Sequence, residues 1–130
     1  MTKKELSQLY YLNREIERDK LMLHELENAA TNATSHITGL PHGADLADKT
    51  ALAAEIADLR NEIDAKIQFT IVEYNRLVRY IHTIDDSLIR QILKFRHISG
   101  FSWREVAEHI GGGNTEGSVK MVYKRFFIKN

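Results

Sequence analysis

The stretch that decides the fold is Gly100–Asn130, GFSWREVAEHIGGGNTEGSVKMVYKRFFIKN. Ser102 and Glu105 have the S-x-x-E spacing of a capping box, in which each side chain satisfies an orphan backbone donor at a helix start. Phe101 and Val106 take the positions of a hydrophobic staple across that cap. Trp103, Val106, Ala107 and Ile110 follow at i, i+3, i+4 and i+7, one apolar stripe on a short helix. Ala107 is small enough to let a neighbouring helix approach. Gly111-Gly112-Gly113 then stops the helix, and Asn114 or Thr115 can cap the next, with Glu116 and Ser118 in its first turn. Val119, Val122, Tyr123 and Phe126 repeat the apolar spacing. The opposite face carries Gly117, Lys120, Met121 and Lys124, with Arg125 and Lys129 near the end. Two short helices, a glycine turn and a basic outer face make the pattern of a helix-turn-helix.

Working outward, Ser99-Gly100 closes a preceding helix that starts after Asp85 or Asp86 and runs to about His97, with Leu88, Ile89, Ile92, Leu93 and Phe95 on its buried side. Residues 83–130 thus read as one unit. Further upstream, a helix is expected over residues 3–30: Leu9, Leu12, Ile16, Asp19, Leu23 and Leu26 alternate three and four apart, a heptad seam with one polar member. Residues 31–47 hold the only proline, Pro41, and several Ser, Thr, Asn and Gly, so a loop is expected there. A second helix is expected over residues 48–82. Leu52, Ile56, Leu59 and Ile63 keep heptad spacing, and Ile67, Ile71, Tyr74, Val78 and Ile81 continue it after a shift around Ile67. The fold class expected is all-α: a long antiparallel helical hairpin over residues 1–82, then the helix-turn-helix unit. Neither hairpin helix can bury its seam alone, so the hairpin is also the expected site of a homo-oligomer, a dimer first.

The formal net charge of zero hides an asymmetry. Residues 1–75 hold 8 Lys/Arg against 13 Asp/Glu, a net −5, and residues 76–130 hold 10 against 5, a net +5. Only the second part has the electrostatics to approach phosphates. The expected partner is double-stranded DNA, with the second short helix in the major groove and the first crossing the backbone. Lys120, Lys124 and Arg125 suit phosphates; Asn114, Thr115, Ser118 and Lys120 stand nearest the base edges; Met121 shares their face; and Arg104 can reach a flanking phosphate.

From Ile84 onward the order IDDSLIRQILKFRHISGFSWREVAEHIGG…SVKMVYKRF resembles the C-terminal DNA-binding region of bacterial sigma factors. The longer pattern, with ITGLPHG in the loop and GGGNTEGSVK in the turn, is similar to small phage and prophage proteins of Gram-positive bacteria. That resemblance implies transcription control through DNA, with RNA polymerase as a further partner. The turn IGGGNTEG is longer than the usual sigma turn, which leaves the register of base contacts open, and nothing resembles the promoter-melting regions of a full sigma factor. Two other readings fit the same pattern: a small terminase subunit recognising a packaging site, and a protein-interaction module using the motif as a scaffold.

Other chemistry finds no support in the sequence. There is no cysteine, so no disulfide or thiolate site. The six histidines, His24, His36, His42, His82, His97 and His109, are scattered without metal-ligand spacing, and the loop pair His36 and His42 reads as chance surface residues. Asp85-Asp86 suit a helix start better than acid–base work, and the glycine triplet lacks the Lys-Ser/Thr of a phosphate loop. Neither an enzyme, a cofactor nor a metal is expected. No apolar run reaches bilayer length and the charged first twenty residues do not form a secretory signal, so a cytoplasmic protein is expected.

Overall fold

A computed structural model describes residues 1–35 and 43–129, with side chains outside 33–47. All regular structure among them is helical: α1 Lys3–Ser35, α2 Gly43–His82, α3 Ser87–Leu93, a π-helical turn Lys94–Ile98, α4 Trp103–Ile110 and α5 Glu116–Lys129. Both long helices exceed their expected bounds, α1 running past residue 30 and α2 starting before residue 48. Thr31 shows how a polar residue stays helical, its hydroxyl donating to the Glu27 carbonyl at 2.9 Å instead of competing for the backbone. Pro41 and the loop histidines His36 and His42 lie outside the described residues.

The chain divides into two compact units, residues 13–69 and a second made of residues 1–12 with 70–130. The 82/83 boundary expected from the sequence is not where the chain divides. Leu6 and Leu9 of α1, Leu77 and Ile81 of α2 and Leu93 of α3 form one buried cluster, so the outer ends of both long helices belong with the C-terminal helices.

In the unit of residues 13–69, Ile16 of α1 and Ile56, Leu59 and Ile63 of α2 are buried. Glu27 meets Arg60 at 2.8 Å, and Glu15 and Asp19 both meet Lys66, Glu15 at 3.0 Å. Rising numbers on α1 meet falling numbers on α2, so these segments run antiparallel. Asp19, the polar member of the α1 seam, is matched by a lysine at a seam position of α2. Two carboxylates on one ammonium raise the Lys66 pKa, the hydrogen bond that Lys66 donates to Asp19 having the largest effect.

The shift expected in the α2 seam is absent. The seam keeps its three–four alternation through Lys66, Thr70, Glu73 and Leu77, with Thr70, Leu77 and Ile81 buried. Ile71 and Tyr74, expected inside, are exposed at 48% and 43%. Lys66, Thr70 and Glu73 occupy the seam in place of aliphatic residues, and an apolar pattern passes over them. At the other end of the seam, Arg76 donates to Glu5 at 2.9 Å, and Glu5 also accepts from the Thr2 backbone, the larger of the two causes holding its pKa down.

Asp86 caps α3, its carboxylate accepting from the backbone of Leu88 and Ile89. The helix expected to reach His97 widens after Leu93 into the π-helical turn, where Ser99 N–H reaches the Lys94 carbonyl and Phe101 N–H that of Phe95. A second cluster, Ile92, Val106, Ala107 and Val119, joins α3, α4 and α5, with Phe95, Trp103, Val122 and Tyr123 around it.

Candidate nucleic-acid interface

The interface candidate is built on α4, the glycine turn and α5, each fixed by local chemistry. At the start of α4 the capping box is complete: Glu105 N–H donates to Ser102 Oγ and Ser102 N–H to the Glu105 carboxylate, both at 3.2 Å. The hydrogen bond from the Ser102 backbone N–H, followed by that of the Ser102 side chain, lowers the Glu105 pKa. Val106 and Ala107 are buried, Trp103 and Ile110 half-buried, so the stripe faces inward as its spacing predicts. Gly111 ends α4 at φ 67°, ψ −152°, a backbone region open essentially to glycine alone.

The turn leads into a second reciprocal cap. Thr115 Oγ1 accepts from Ser118 N–H at 3.1 Å, and Ser118 Oγ accepts from Thr115 N–H at 2.9 Å. Ser118 Oγ also donates, lying 3.3 Å from Asn114 Oδ1 and 3.0 Å from the Thr115 carbonyl. Asn114 Nδ2 donates back to the Gly111 carbonyl at 2.9 Å. Three residues assigned to base edges are therefore engaged in shaping the turn and the first turn of α5. Thr115 alone among them is exposed, while Asn114 and Ser118 are half-buried.

The cations divide into two groups. Arg104 lies 3.3 Å from Glu108, and Lys120 lies 2.9 Å from Glu116, both pairs one helical turn apart. Lys124 and Arg125 are exposed and have no carboxylate partner among the described residues. Gly117, Met121 and Lys124 follow one another along the exposed face of α5, with Arg125 beside them.

What holds α5 in place was only partly visible in the sequence. Arg96 donates to the Phe101 carbonyl at 2.9 Å while its guanidinium lies 4.7 Å from the Trp103 ring, clamping the approach to α4. Arg90 does the same upstream, donating to the carbonyls of Ile84 and Asp85. His97, to which the sequence assigned no role, is buried with 5% exposure, its Nε2 3.1 Å from the Tyr123 hydroxyl. His97 lies four residues after the fully buried Leu93, so the helical spacing already places it on the inward face. Burial, with the Arg96 charge adding to it, lowers the His97 pKa to about 4. Lys3 of α1 lies over the Tyr123 and Phe127 rings at 5.2 and 5.5 Å. An arginine or lysine in sequence gives no sign of whether it will meet a phosphate, a carbonyl or a ring.

Among the described residues no group of three or more His, Asp or Glu could hold a metal ion, and no helix is long and apolar enough to cross a membrane. No known protein-family model matches the chain, and no curated protein or solved structure matches it either.

Proposed function

We propose that this chain binds double-stranded DNA sequence-specifically, with α4, the glycine turn and α5 acting as a helix-turn-helix and α5 entering the major groove. One observation carries the reading. The inner face of α5 is fixed by core and caps, while its exposed face presents Lys124 and Arg125 with their charges uncommitted. Such a face is suited to phosphates, where neutralisation releases counterions. Arg104 and Lys120 can join it by exchanging Glu108 and Glu116 for phosphates, since exposed ion pairs of this kind contribute little. Gly117, with no side chain, leaves room for a close approach, and Met121 beside it offers an apolar contact to base edges. The resemblance of residues 84–130 to the sigma-factor region makes transcription the process, in the manner of a phage regulator, with RNA polymerase as protein partner. The antiparallel segments of α1 and α2 form the helical hairpin of this reading and the seat of self-association.

The test is selection of bound sequences from a random duplex pool, followed by titration of the selected site. Lys124→Glu with Arg125→Glu is expected to abolish binding without loss of helix content. Unchanged affinity in that double variant overturns the reading.

A further inference from the structure

The exposed stripe of α5 does not end at Lys124. Gly117, Met121, Lys124 and Ile128 follow at i, i+4, i+7 and i+11, so Ile128, 83% exposed, continues the face assigned to DNA. Lys124 and Ile128 also line an open groove of about 540 Å³, together with Phe127 and with Met1, Thr2 and Lys3 at the start of α1. Residues 1–12 and 70–130 belong to one compact unit, so the groove lies within it.

Two cations and no acid line this groove. Lys3 is exposed and lies 5.2 and 5.5 Å from the ring centres of Tyr123 and Phe127, which hold an ammonium in place without neutralising it. Neither Lys3 nor Lys124 has a carboxylate partner among the described residues. The acids of the same unit are engaged elsewhere. Glu5 accepts from Arg76 with one oxygen and from Thr2 with the other. Glu73 pairs with Arg76, Asp86 caps α3, Glu105 caps α4, and Glu108 and Glu116 hold Arg104 and Lys120. Asp85 is exposed and does not line the groove. The unit as a whole carries 12 Lys/Arg against 7 Asp/Glu, a net +5. Two uncommitted cations beside apolar side chains suit a sugar–phosphate strand, the cations taking phosphate oxygens and Phe127 and Ile128 the deoxyribose. Lys124 belongs both to the groove and to the DNA face, so the strand it holds is the one that can continue to Lys3.

We infer that the groove formed by Lys3, Lys124 and Ile128 holds the DNA backbone beside the major groove entered by α5, so that the start of α1 is part of the DNA-binding surface. The contact is with phosphate and sugar, and it positions α5 without reading sequence. The inference rests on the DNA reading above and extends its surface beyond α4 and α5.

Titration of the selected duplex with the full chain and its variants, across a range of salt, tests it. Lys3→Gln is expected to lower affinity roughly five- to tenfold at about 0.1 M salt and to reduce the salt slope by about 0.9, one phosphate contact being lost. The loss is expected to be the same on an unrelated duplex, as for any phosphate contact. Lys3→Arg is expected to keep the slope. Lys4→Gln removes the neighbouring charge, which is exposed and outside the groove, and is expected to leave the slope unchanged. A Lys3 that served only the Tyr123 and Phe127 rings would alter the melting temperature and not the slope. A wild-type chain that binds no duplex overturns both this inference and the DNA reading it rests on. A wild-type chain that binds, with a slope that Lys3→Gln leaves unchanged, overturns the inference alone. So does a slope lowered as much by Lys4→Gln, which would make net charge the cause, and so does a loss confined to the selected duplex.

Discussion

At the scale of single residues, the buried histidine gives the sharpest expectation. His97 is neutral in the fold, its pKa lowered to about 4 by burial and by Arg96, against 6.5 for an unperturbed imidazole. The unfolded chain therefore binds a proton that the folded chain refuses. The stabilisation from neutral His97 is fully present above about pH 6.5 and is lost as pH falls toward 4. Thermal midpoints measured across that window are expected to decline, and His97→Phe to decline less steeply. Glu5 and Glu105, whose pKa values are lowered from 4.5, lose their contributions only below that value, which separates their effect from the histidine's. A parallel pH dependence in wild type and His97→Phe would place the titrating group elsewhere. The cations of α5 give a second expectation. Lys124→Ala should reduce DNA affinity more than Lys120→Ala, because Glu116 at 2.9 Å already occupies Lys120. The salt dependence of binding should also fall by about one counterion for Lys124→Ala.

At the scale of elements, stability depends on how α4 is started, stopped and clamped. Ser102→Ala removes an N-cap and should cost about 1 kcal/mol. Gly111→Ala adds a Cβ that meets nothing within 4 Å, so its cost is backbone strain alone, about 1–3 kcal/mol. Trp103 is half-buried, which puts Trp103→Ala toward the low end of the roughly 3–5 kcal/mol typical of core aromatics. Urea midpoints of the three variants check the order; a Gly111→Ala midpoint equal to wild type would mean that the turn relaxes without strain. The same comparison shows which elements could be read from sequence. The caps, stripes and glycine stop of α4 and α5 rest on residues within one or two turns of each other, and all were legible. The α2 seam was not, because Lys66, Thr70 and Glu73 stand where pattern reading looks for aliphatic side chains, while Ile71 and Tyr74 look like core and lie outside it. The hydrogen-bond partner of the buried His97 is Tyr123, 26 residues away, which no local pattern could name. Of the candidate site, the helix and its cations were legible; that Asn114 and Ser118 serve the turn was hidden, since a capping amide or hydroxyl and a base-reading one are the same residue type.

At the scale of the whole molecule, the proposed DNA binding would have to work through one part of a neutral chain's charge. Residues 76–130 carry a net +5 and residues 1–75 a net −5, so overall attraction to a polyanion cancels at long range and binding depends on local contacts. The logarithm of affinity then falls with that of salt concentration at about 0.9 per neutralised phosphate. Lys124 and Arg125 alone set a slope near −2 for one copy, and recruitment of Arg104 and Lys120 from their carboxylates steepens it toward about −4. In the self-association proposed above, a two-fold dimer would double either value by placing two α5 helices on two half-sites. Titrating the selected duplex between roughly 50 and 200 mM salt should therefore give a slope of about −2 to −4 for one copy bound and about −4 to −8 for two. A slope near zero would remove Lys124 and Arg125 from the phosphates altogether.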